Sequence, residues 1–345
     1  MSARRLFLDR GLGETRGVVT LNDQPERLLI LREDMPARLR LGARVRARAR
    51  QVEPALGTAF LDLGEGAEAV LPFRPEERPK QGQALEVEIR AEARDGKLAT
   101  AKLLGPGEGA PALIAKAPDL GEQLLAFARG GEVETGAIAR QAADEAEAEA
   151  LETVHRLPGG GSVAIEPTRA LTAVDVDLGE RKGQDAKRVT RHANLTALGE
   201  IARLLRLKGL GGLVVIDLAG RGHDGTALMT AARAAFAPDN PGVAIGPVSR
   251  FGTIELTVPR RTRPVAEILC EGGRLSDSTL ALRLIRRIEA EAAAQPGGRI
   301  AARCAPAVAT AAEPLARRLA ERIGARFEIT ADPGASRDWL EAKVR

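Results

Sequence analysis

Aromatic side chains are scarce in this sequence of 345 residues: they make up 2% of it, with seven Phe, one Trp and no Tyr. A surface that binds nucleic acid by base stacking would have few rings to use, so it would depend mainly on Arg and Lys. Cysteine is nearly absent too, and Cys270 and Cys304 are too few and too separated for a disulfide framework. The three histidines are scattered, so no Cys or His cluster of zinc spacing is present and zinc is not expected.

Long apolar segments are also missing. The first residues, MSARRLF, contain no apolar region of the signal-peptide kind, and no later run approaches the length that crosses a bilayer. We therefore expect a cytoplasmic protein in a reducing compartment, with no membrane partner.

The charge balance is only weakly positive. Lys and Arg number 51 against 47 Asp and Glu, which gives a formal net charge of +4 and a pI of about 9.4. This balance permits a polyanionic partner without requiring one. A hydrophobic content of 44% with 28% charged residues is typical of globular proteins, and the length suits two or three domains.

The alternation of short strands and longer helices predicts a multidomain α+β or α/β fold. We interpret residues 1–36 as a β segment that packs on the core, and residues 37–104 as a five-stranded β-barrel of the OB type. Residues 105–122 are rich in Gly and Pro and are predicted to be a linker. Residues 123–265 are predicted to form a mixed α/β core, and residues 266–345 a helix followed by a small αβ domain.

The first predicted barrel strand, residues 39–51, carries a stripe of arginines. Every second position faces the same side of a strand, so these arginines share one face and the intervening Leu, Val and Ala share the other. Two interpretations stay open: a solvated outer face, or a surface that follows the phosphates of a single strand. The arginines are Arg38, Arg40, Arg44, Arg46, Arg48 and Arg50.

Within the α/β core, two strands are predicted at 162–166 and 170–177, followed by a polar loop at 178–190. A helix is predicted from 194 to 207 and a buried strand from 211 to 217. A strand, a helix and a second strand in this order usually give parallel neighbours. The later elements predicted are a helix at 225–236, strands near 242–248 and at 253–257, a helix from Ser276 or Asp277 to Ala294, a strand at 299–304, a helix at 307–323 and a strand at 326–330.

Three aspartates end the two central strands of this core. Asp175 and Asp177 share one strand face, and Asp217 closes the apolar run LVVI. Each alone is commonly a turn or cap residue, but parallel strands would bring Asp175 and Asp217 to one sheet edge, where α/β sheets place ligands. Carboxylates that meet repel each other unless a cation lies between them. With only oxygen ligands, that cation is predicted to be Mg²⁺ or Mn²⁺.

Two long segments of the core resemble the catalytic core of the ribonuclease E/G family. They are residues 157–176 (LPGGGSVAIEPTRALTAVDV) and 194–217 (NLTALGEIARLLRLKGLGGLVVID), and SRFG at 249–252 also matches. The resemblance implies that Asp175 and Asp217 bind a catalytic Mg²⁺. It also implies hydrolysis of single-stranded RNA to 5′-phosphate and 3′-hydroxyl ends, in RNA processing or decay.

The barrel resembles the S-one-type OB domain of the same family, through GTAFLDLG at 57–64 and VLP at 70–72. The resemblance implies that Phe60 and Lys97 contact RNA. Arg44, Arg46 and Arg48 on the barrel, Arg206 in the core helix and Arg250 in the SRFG segment are further candidate RNA contacts. For Arg206, with Arg203 and Lys208, a solvated helix face without function is the alternative.

The sequence departs from the family pattern in four places. Residues 105–157 replace a far longer stretch, so recognition of a 5′-monophosphate is not expected. Glu267 stands where the family has the first cysteine of a zinc pair completed by Cys270, so any homo-oligomer is not expected to form through zinc. Asp177 replaces the usual Asn and is a candidate third metal ligand. Gly220 replaces an acid three residues after Asp217.

Other interpretations remain open. A catalytically inactive RNA-binding protein of the same fold is the main alternative, and a metal-dependent phosphatase or a nuclease with another substrate is more distant. His223 and Asp224 resemble a general-base pair, but their Gly-rich surroundings favour an ordinary loop.

Overall fold

A computed structural model gives the fold of the protein and describes residues 4–94, 96–127, 131–179 and 186–345. None of the helices in these ranges combines the length and the apolar character that crossing a membrane requires. The predicted multidomain α/β fold is confirmed, with a barrel, a central mixed sheet and a small carboxyl-terminal sheet.

The amino-terminal strands form an antiparallel sheet whose two faces are both covered. The main core buries Phe7, Val18 and Leu28 on one side, while Leu6 and Val19 pack with a short helix on the other. This sheet therefore packs on the α/β core. Its strands are β1 (Arg4–Arg10), β2 (Glu14–Leu21) and β3 (Gln24–Arg32).

The predicted five-stranded barrel is confirmed, because its first and second strands pair and close it. Its first strand begins at Arg44 instead of residue 39, since a short 3-10 turn at Ala37–Leu39 precedes it. The strands are β4 (Arg44–Glu53), β5 (Thr58–Gly64), β6 (Ala67–Pro72), β7 (Ala84–Ala91) and β8 (Ala99–Pro106).

The prediction of a simple linker at 105–122 is wrong. A sixth strand, β9 (Ala112–Ala115), pairs with β4 on the outside of the barrel, and helix α1 (Leu120–Leu125) starts within the same segment. The chain then forms β10 (Val133–Glu134), which pairs with β1, and helix α2 (Ala137–Leu151), close to the predicted helix at 136–153.

A six-stranded mixed sheet forms the centre of the molecule. In spatial order its strands are β11 (Val154–Arg156), β12 (Ser162–Pro167), β13 (Thr172–Asp177), β14 (Gly212–Asp217), β16 (Thr253–Val258) and β15 (Ala244–Ile245). The helices of this region are α3 (Ala186–Lys208) and α4 (Gly225–Phe236). The predicted polar loop at 178–190 is partly wrong, since helix α3 already begins at Ala186; residues 180–185 of that loop lie outside the described ranges.

The carboxyl-terminal region packs its own apolar cluster around two helices and a three-stranded sheet. Ser276 caps the long helix, as its hydroxyl accepts a hydrogen bond from the Thr279 amide. The last strand was not predicted. The elements are α5 (Val265–Leu269), β17 (Cys270–Glu271), β18 (Arg274–Leu275), α6 (Asp277–Ala294), β19 (Ile300–Cys304), α7 (Pro306–Ile323), β20 (Phe327–Ala331) and β21 (Leu340–Val344).

Candidate functional site

The central sheet has one buried face and one open face. Alternate residues of β12, β13, β14 and β16, among them Val174 and Ile216, are buried in the main core. The residues between them point away from that core, and several are exposed carboxylates. These are Glu166, Asp175, Asp177, Asp217 and Glu255.

Asp175 and Asp217 are direct neighbours on this open face. The predicted parallel pairing of β13 and β14 is confirmed, and its register aligns the two aspartates. Neighbouring strands lie about 4.8 Å apart, so the carboxylates project side by side. The pKa of Asp175 is raised, first by partial burial and then by the negative charges of Asp217, Asp177 and Glu166. The sequence analysis did not single out Glu166, although its place on the strand paired with β13 gives it this influence.

Asp177 and Gly220 occupy different surroundings from the pair. Asp177 pairs across the sheet with Ser162, away from β14, and its Oδ1 accepts the Gly179 amide at 3.0 Å. Gly220 has a φ of +78°, and a Cβ there would lie 2.7 Å from Thr190 Cγ2. An acid at position 220 would therefore be strained and would clash with α3, which gives the departure from the family pattern a structural cause.

No three His, Cys, Asp or Glu side chains of the described residues converge closely enough to hold a metal ion by themselves. The paired carboxylates nevertheless fit a hard divalent cation, because both are exposed oxygen donors and their repulsion raises a pKa that a cation would lower. An ion held by Asp175 and Asp217 would complete its shell with water or substrate oxygens. Asp177 as a third ligand remains a prediction.

The loop that follows Asp217 is hydrogen-bonded to α3 and to the turn before β16. Asn194 on α3 exchanges two hydrogen bonds of 3.0 Å with the backbone of Ala219. The next amide after Asp217, that of Leu218, donates to the Gly252 carbonyl at 3.1 Å. Asn194 is thus a positioning residue that the sequence analysis placed only at a helix start.

Asp224 has a structural role, in line with the loop interpretation of His223 and Asp224. Its side chain accepts the Ala227 amide and caps α4, and it also pairs with Arg191 at 3.2 Å. The His223 Nε2 is buried beside Gly252. A cleft of about 420 Å³ opens next to this loop, and its basic lining side chains are Lys187, Arg191 and Arg221.

The arginine stripe lies on the outer face of the barrel only from residue 44 onward. Arg44 is 3.9 Å from Glu86, Arg46 donates to the Ala110 carbonyl, and Arg48 donates to the Gly82 and Gly109 carbonyls. Arg38 and Arg40, which precede β4, donate to the Leu63 and Met35 carbonyls. Phe60 is half-buried on the same outer surface, opposite Val70.

Lys97 is exposed and lines a crevice between the barrel and the central sheet, together with Arg94, Arg169 and Arg260. The crevice also contacts Thr172, at the start of β13. Thr172 is three residues before Asp175 on β13, and a strand rises about 3.3 Å per residue. The crevice therefore lies about 10–20 Å along the sheet from the acidic pair. Arg250 lies on the turn before β16, three residues before Thr253, the cross-strand partner of Asp217, whereas Lys97 lies towards the other end of the strands.

The prediction that Arg206 contacts RNA is contradicted. Its side chain is 8% exposed and lies 2.7 Å from Asp239 and 3.3 Å from Glu26. Arg203 and Lys208 are also buried, and the Lys208 Nζ donates to the Ala150 carbonyl. Acids and carbonyls of neighbouring elements partner these cations, so their side chains point into the protein rather than into solvent.

Residues 132–261 match the model of the ribonuclease E/G family. Ribonuclease E of Haemophilus influenzae is 38% identical over 152 residues, which cover 40% of this chain and 16% of that protein. Ribonuclease E of Escherichia coli is 37% identical over 148 residues (40% and 14%), and ribonuclease G of Salmonella typhimurium is 31% identical over 124 residues (35% and 25%).

The chain thus spans about a sixth of the length of the ribonuclease E proteins it matches. The matched residues contain the whole central sheet from β11 to β16, including both members of the acidic pair. Over residues 132–261, the chain is therefore similar to the ribonuclease E/G family.

Proposed function

We propose that this protein is a Mg²⁺-dependent endoribonuclease that hydrolyses single-stranded RNA and leaves 5′-phosphate and 3′-hydroxyl ends. The observation that carries this proposal is the alignment of Asp175 and Asp217 on the open face of a sheet within the family match. We assign the protein to cytoplasmic RNA processing or decay.

Asp175 and Asp217 are the residues that would hold the metal. Mn²⁺ has the same preference for oxygen donors and is the natural substitute. When bound, Mg²⁺ supplies a Lewis acid that lowers the pKa of a coordinated water and stabilises charge on a leaving oxygen.

The remaining side chains act on the RNA strand. Arg250, on the turn next to Asp217, is placed to neutralise a phosphate near the acidic pair. Arg44, Arg46 and Arg48 would follow the backbone along the barrel, with Lys97 between barrel and sheet. Phe60 would offer its ring to a base on the barrel surface.

We further propose that cleavage does not depend on a 5′-monophosphate. Among its described residues, the segment between the barrel and β11 contains only β9, α1, β10 and α2, and α2 is held to the amino-terminal sheet by ion pairs from Arg16 to Asp144 and Glu147. One RNA prepared with a 5′-triphosphate, a 5′-monophosphate or a 5′-hydroxyl should be cut at equal rates. A strong preference for the monophosphate would refute this part of the proposal.

The test of the function uses purified protein and an unstructured RNA, labelled at either end, beside the DNA of the same sequence. With Mg²⁺ we expect internal cleavage of the RNA alone, products with 5′-phosphate and 3′-hydroxyl ends, and no reaction in EDTA. Equal cleavage of DNA would point to a general nuclease. Tight RNA binding without cleavage at any concentration of Mg²⁺ or Mn²⁺ would favour the inactive alternative, which the altered residues Asp177 and Gly220 motivate.

A further inference from the structure

Phe251 is the most exposed large apolar side chain of the described residues, at 75%. The sequence contains eight aromatic residues, and among those that the structure describes the next most exposed is Trp339, at 37%. Burial of a large aromatic ring is favourable, so a ring held almost entirely in solvent indicates a surface that meets a partner.

The turn that carries Phe251 is closed by several hydrogen bonds. The Ser249 hydroxyl accepts the amides of Phe251 and Thr253 at 3.2 and 3.3 Å, and the Gly252 amide donates to the Ser249 carbonyl. Gly252 adopts a φ of +86°, with the ring of His223 behind it. A ring on such a turn is presented in one place, so little conformational freedom is lost when a ligand stacks on it.

The same turn is tied to the acidic pair. Thr253 is the cross-strand partner of Asp217, and the Leu218 amide donates to Gly252. Two residues of chain reach at most about 7 Å, and paired strand residues lie about 5 Å apart, so the Cα atoms of Phe251 and Asp217 are within about 12 Å.

The position of Arg250 beside the Phe251 ring indicates the kind of ligand that the ring would bind. Its guanidinium lies 4.7 Å from the centre of the Phe251 ring, in a cation–π contact that occupies one face. The exposure of the ring leaves its other surface open to solvent. A flat, sequence-tolerant π-system joined to a phosphate matches this pair, with the base on the ring and the phosphate near the guanidinium.

We propose that Phe251 is a stacking site for one unpaired nucleobase of an RNA strand whose backbone lies at Asp175 and Asp217. This inference rests on the proposed function, because it names how the same site holds its substrate. It makes Phe251 a positioning residue: the stacked base would fix the neighbouring phosphodiester relative to the carboxylates.

The experiment separates base stacking from catalysis. Short unstructured RNAs with 2-aminopurine at successive positions are bound to the Asp217→Asn variant, which holds the RNA uncut. Stacking on Phe251 should quench the fluorescence at one position. The quenching should disappear with Phe251→Leu, remain with Phe251→Tyr, and remain with Trp339→Leu, which removes another Arg-stacked aromatic in the carboxyl-terminal domain.

A second measurement tests whether the base and the ring act together. In the Asp217→Asn protein that retains Phe251, an abasic nucleotide at the quenched position should weaken RNA binding by about tenfold to a hundredfold. In the same protein carrying Phe251→Leu, the abasic nucleotide should have little effect on RNA binding. Equal quenching in both proteins, or an equal abasic penalty, would overturn the inference. If the quenching depends on Phe251 but the wild type cuts no RNA, only the proposed cleavage fails; if RNA is cut without Phe251-dependent quenching, only the stacking site fails.

Discussion

Replacing Asp217 with Asn tests the electrostatics of the acidic pair without any RNA. The charge of Asp217 contributes, after partial burial, to the raised pKa of Asp175. A carboxyl whose pKa rises on folding binds its proton more strongly in the native state, so ionisation above that pKa costs stability. We expect Asp217→Asn to raise the free energy of unfolding at neutral pH in metal-free buffer. The difference from wild type should vanish at low pH, where both carboxyls are protonated.

The size of this effect follows from the strand geometry. Two unit charges about 5 Å apart repel by about 0.8 kcal/mol in a medium as polar as water. Both aspartates are exposed, so the repulsion stays near this lower limit. Removal of one charge should stabilise the metal-free protein by about 1 kcal/mol, which corresponds to a rise in Tm of about 1–3 °C for a chain of this size.

Addition of Mg²⁺ should make wild type the more stable of the two proteins. A ligand at ten times its Kd stabilises the native state by about 1.4 kcal/mol, and the Asn variant, with half of the carboxylate pair, should gain less. Thermal unfolding in EDTA and in MgCl₂ measures both effects. Glu255→Gln, which removes an acid from the same sheet face, is the matched control and should keep the Mg²⁺ response. If Asp217→Asn is less stable than wild type without metal, or gains as much from Mg²⁺, the reasoning is refuted.

Three further predictions concern the fold and the barrel. Arg206→Met should lower the free energy of unfolding by about 1–3 kcal/mol, because it removes the closer cation of the buried Asp239 and leaves that carboxylate with Arg27 at 3.4 Å; urea unfolding measures this, and an unchanged stability with weakened RNA binding would contradict it. Burial lowers the pKa of Lys208 from 10.5 to about 8, so the native state releases this proton before the unfolded state does. Its contribution to stability should therefore rise between pH 8 and 10.5, by up to about 3 kcal/mol, and this rise should be missing in Lys208→Met; parallel pH profiles of the two proteins would argue against it. The double variant Arg44→Gln with Arg48→Gln should bind RNA more weakly and reduce the slope of log affinity against log salt by about 0.7 per charge removed, whereas an unchanged slope would exclude these arginines from the RNA path.

The sheet and its acidic pair could be predicted because their signals are local. The apolar run before Asp217 and the alternation around Asp175 define two strands, and the intervening helix makes those strands parallel. That reasoning brings the two residues to one edge, as the register confirms. The barrel was predictable for the same reason, since each of its strands alternates and is bounded by turn residues.

The burial of α3 could not be predicted, because it depends on partners far away in the chain. Arg206 pairs with Glu26 from the amino-terminal sheet, and Arg203 pairs with Glu149 from α2, so the helix face whose sequence predicts a basic solvent surface is enclosed. The strand β9 was hidden by the Gly- and Pro-rich composition around it, because its pairing with β4 is a property of the folded barrel. The exposure of Phe251 could not be predicted either, because Phe is usually buried and only the folded turn leaves this side chain in solvent.

The central claim is that Asp175 and Asp217 form the centre that cuts RNA. Its most direct test is the single-turnover rate of RNA cleavage by wild type, Asp175→Asn, Asp217→Asn and the control Glu255→Gln, with RNA affinity measured in parallel. We predict that each aspartate variant binds RNA as tightly as wild type but cleaves it at least about a hundredfold more slowly, as expected when an interaction of the transition state is removed. Full Mg²⁺-dependent cleavage by both aspartate variants would contradict the claim.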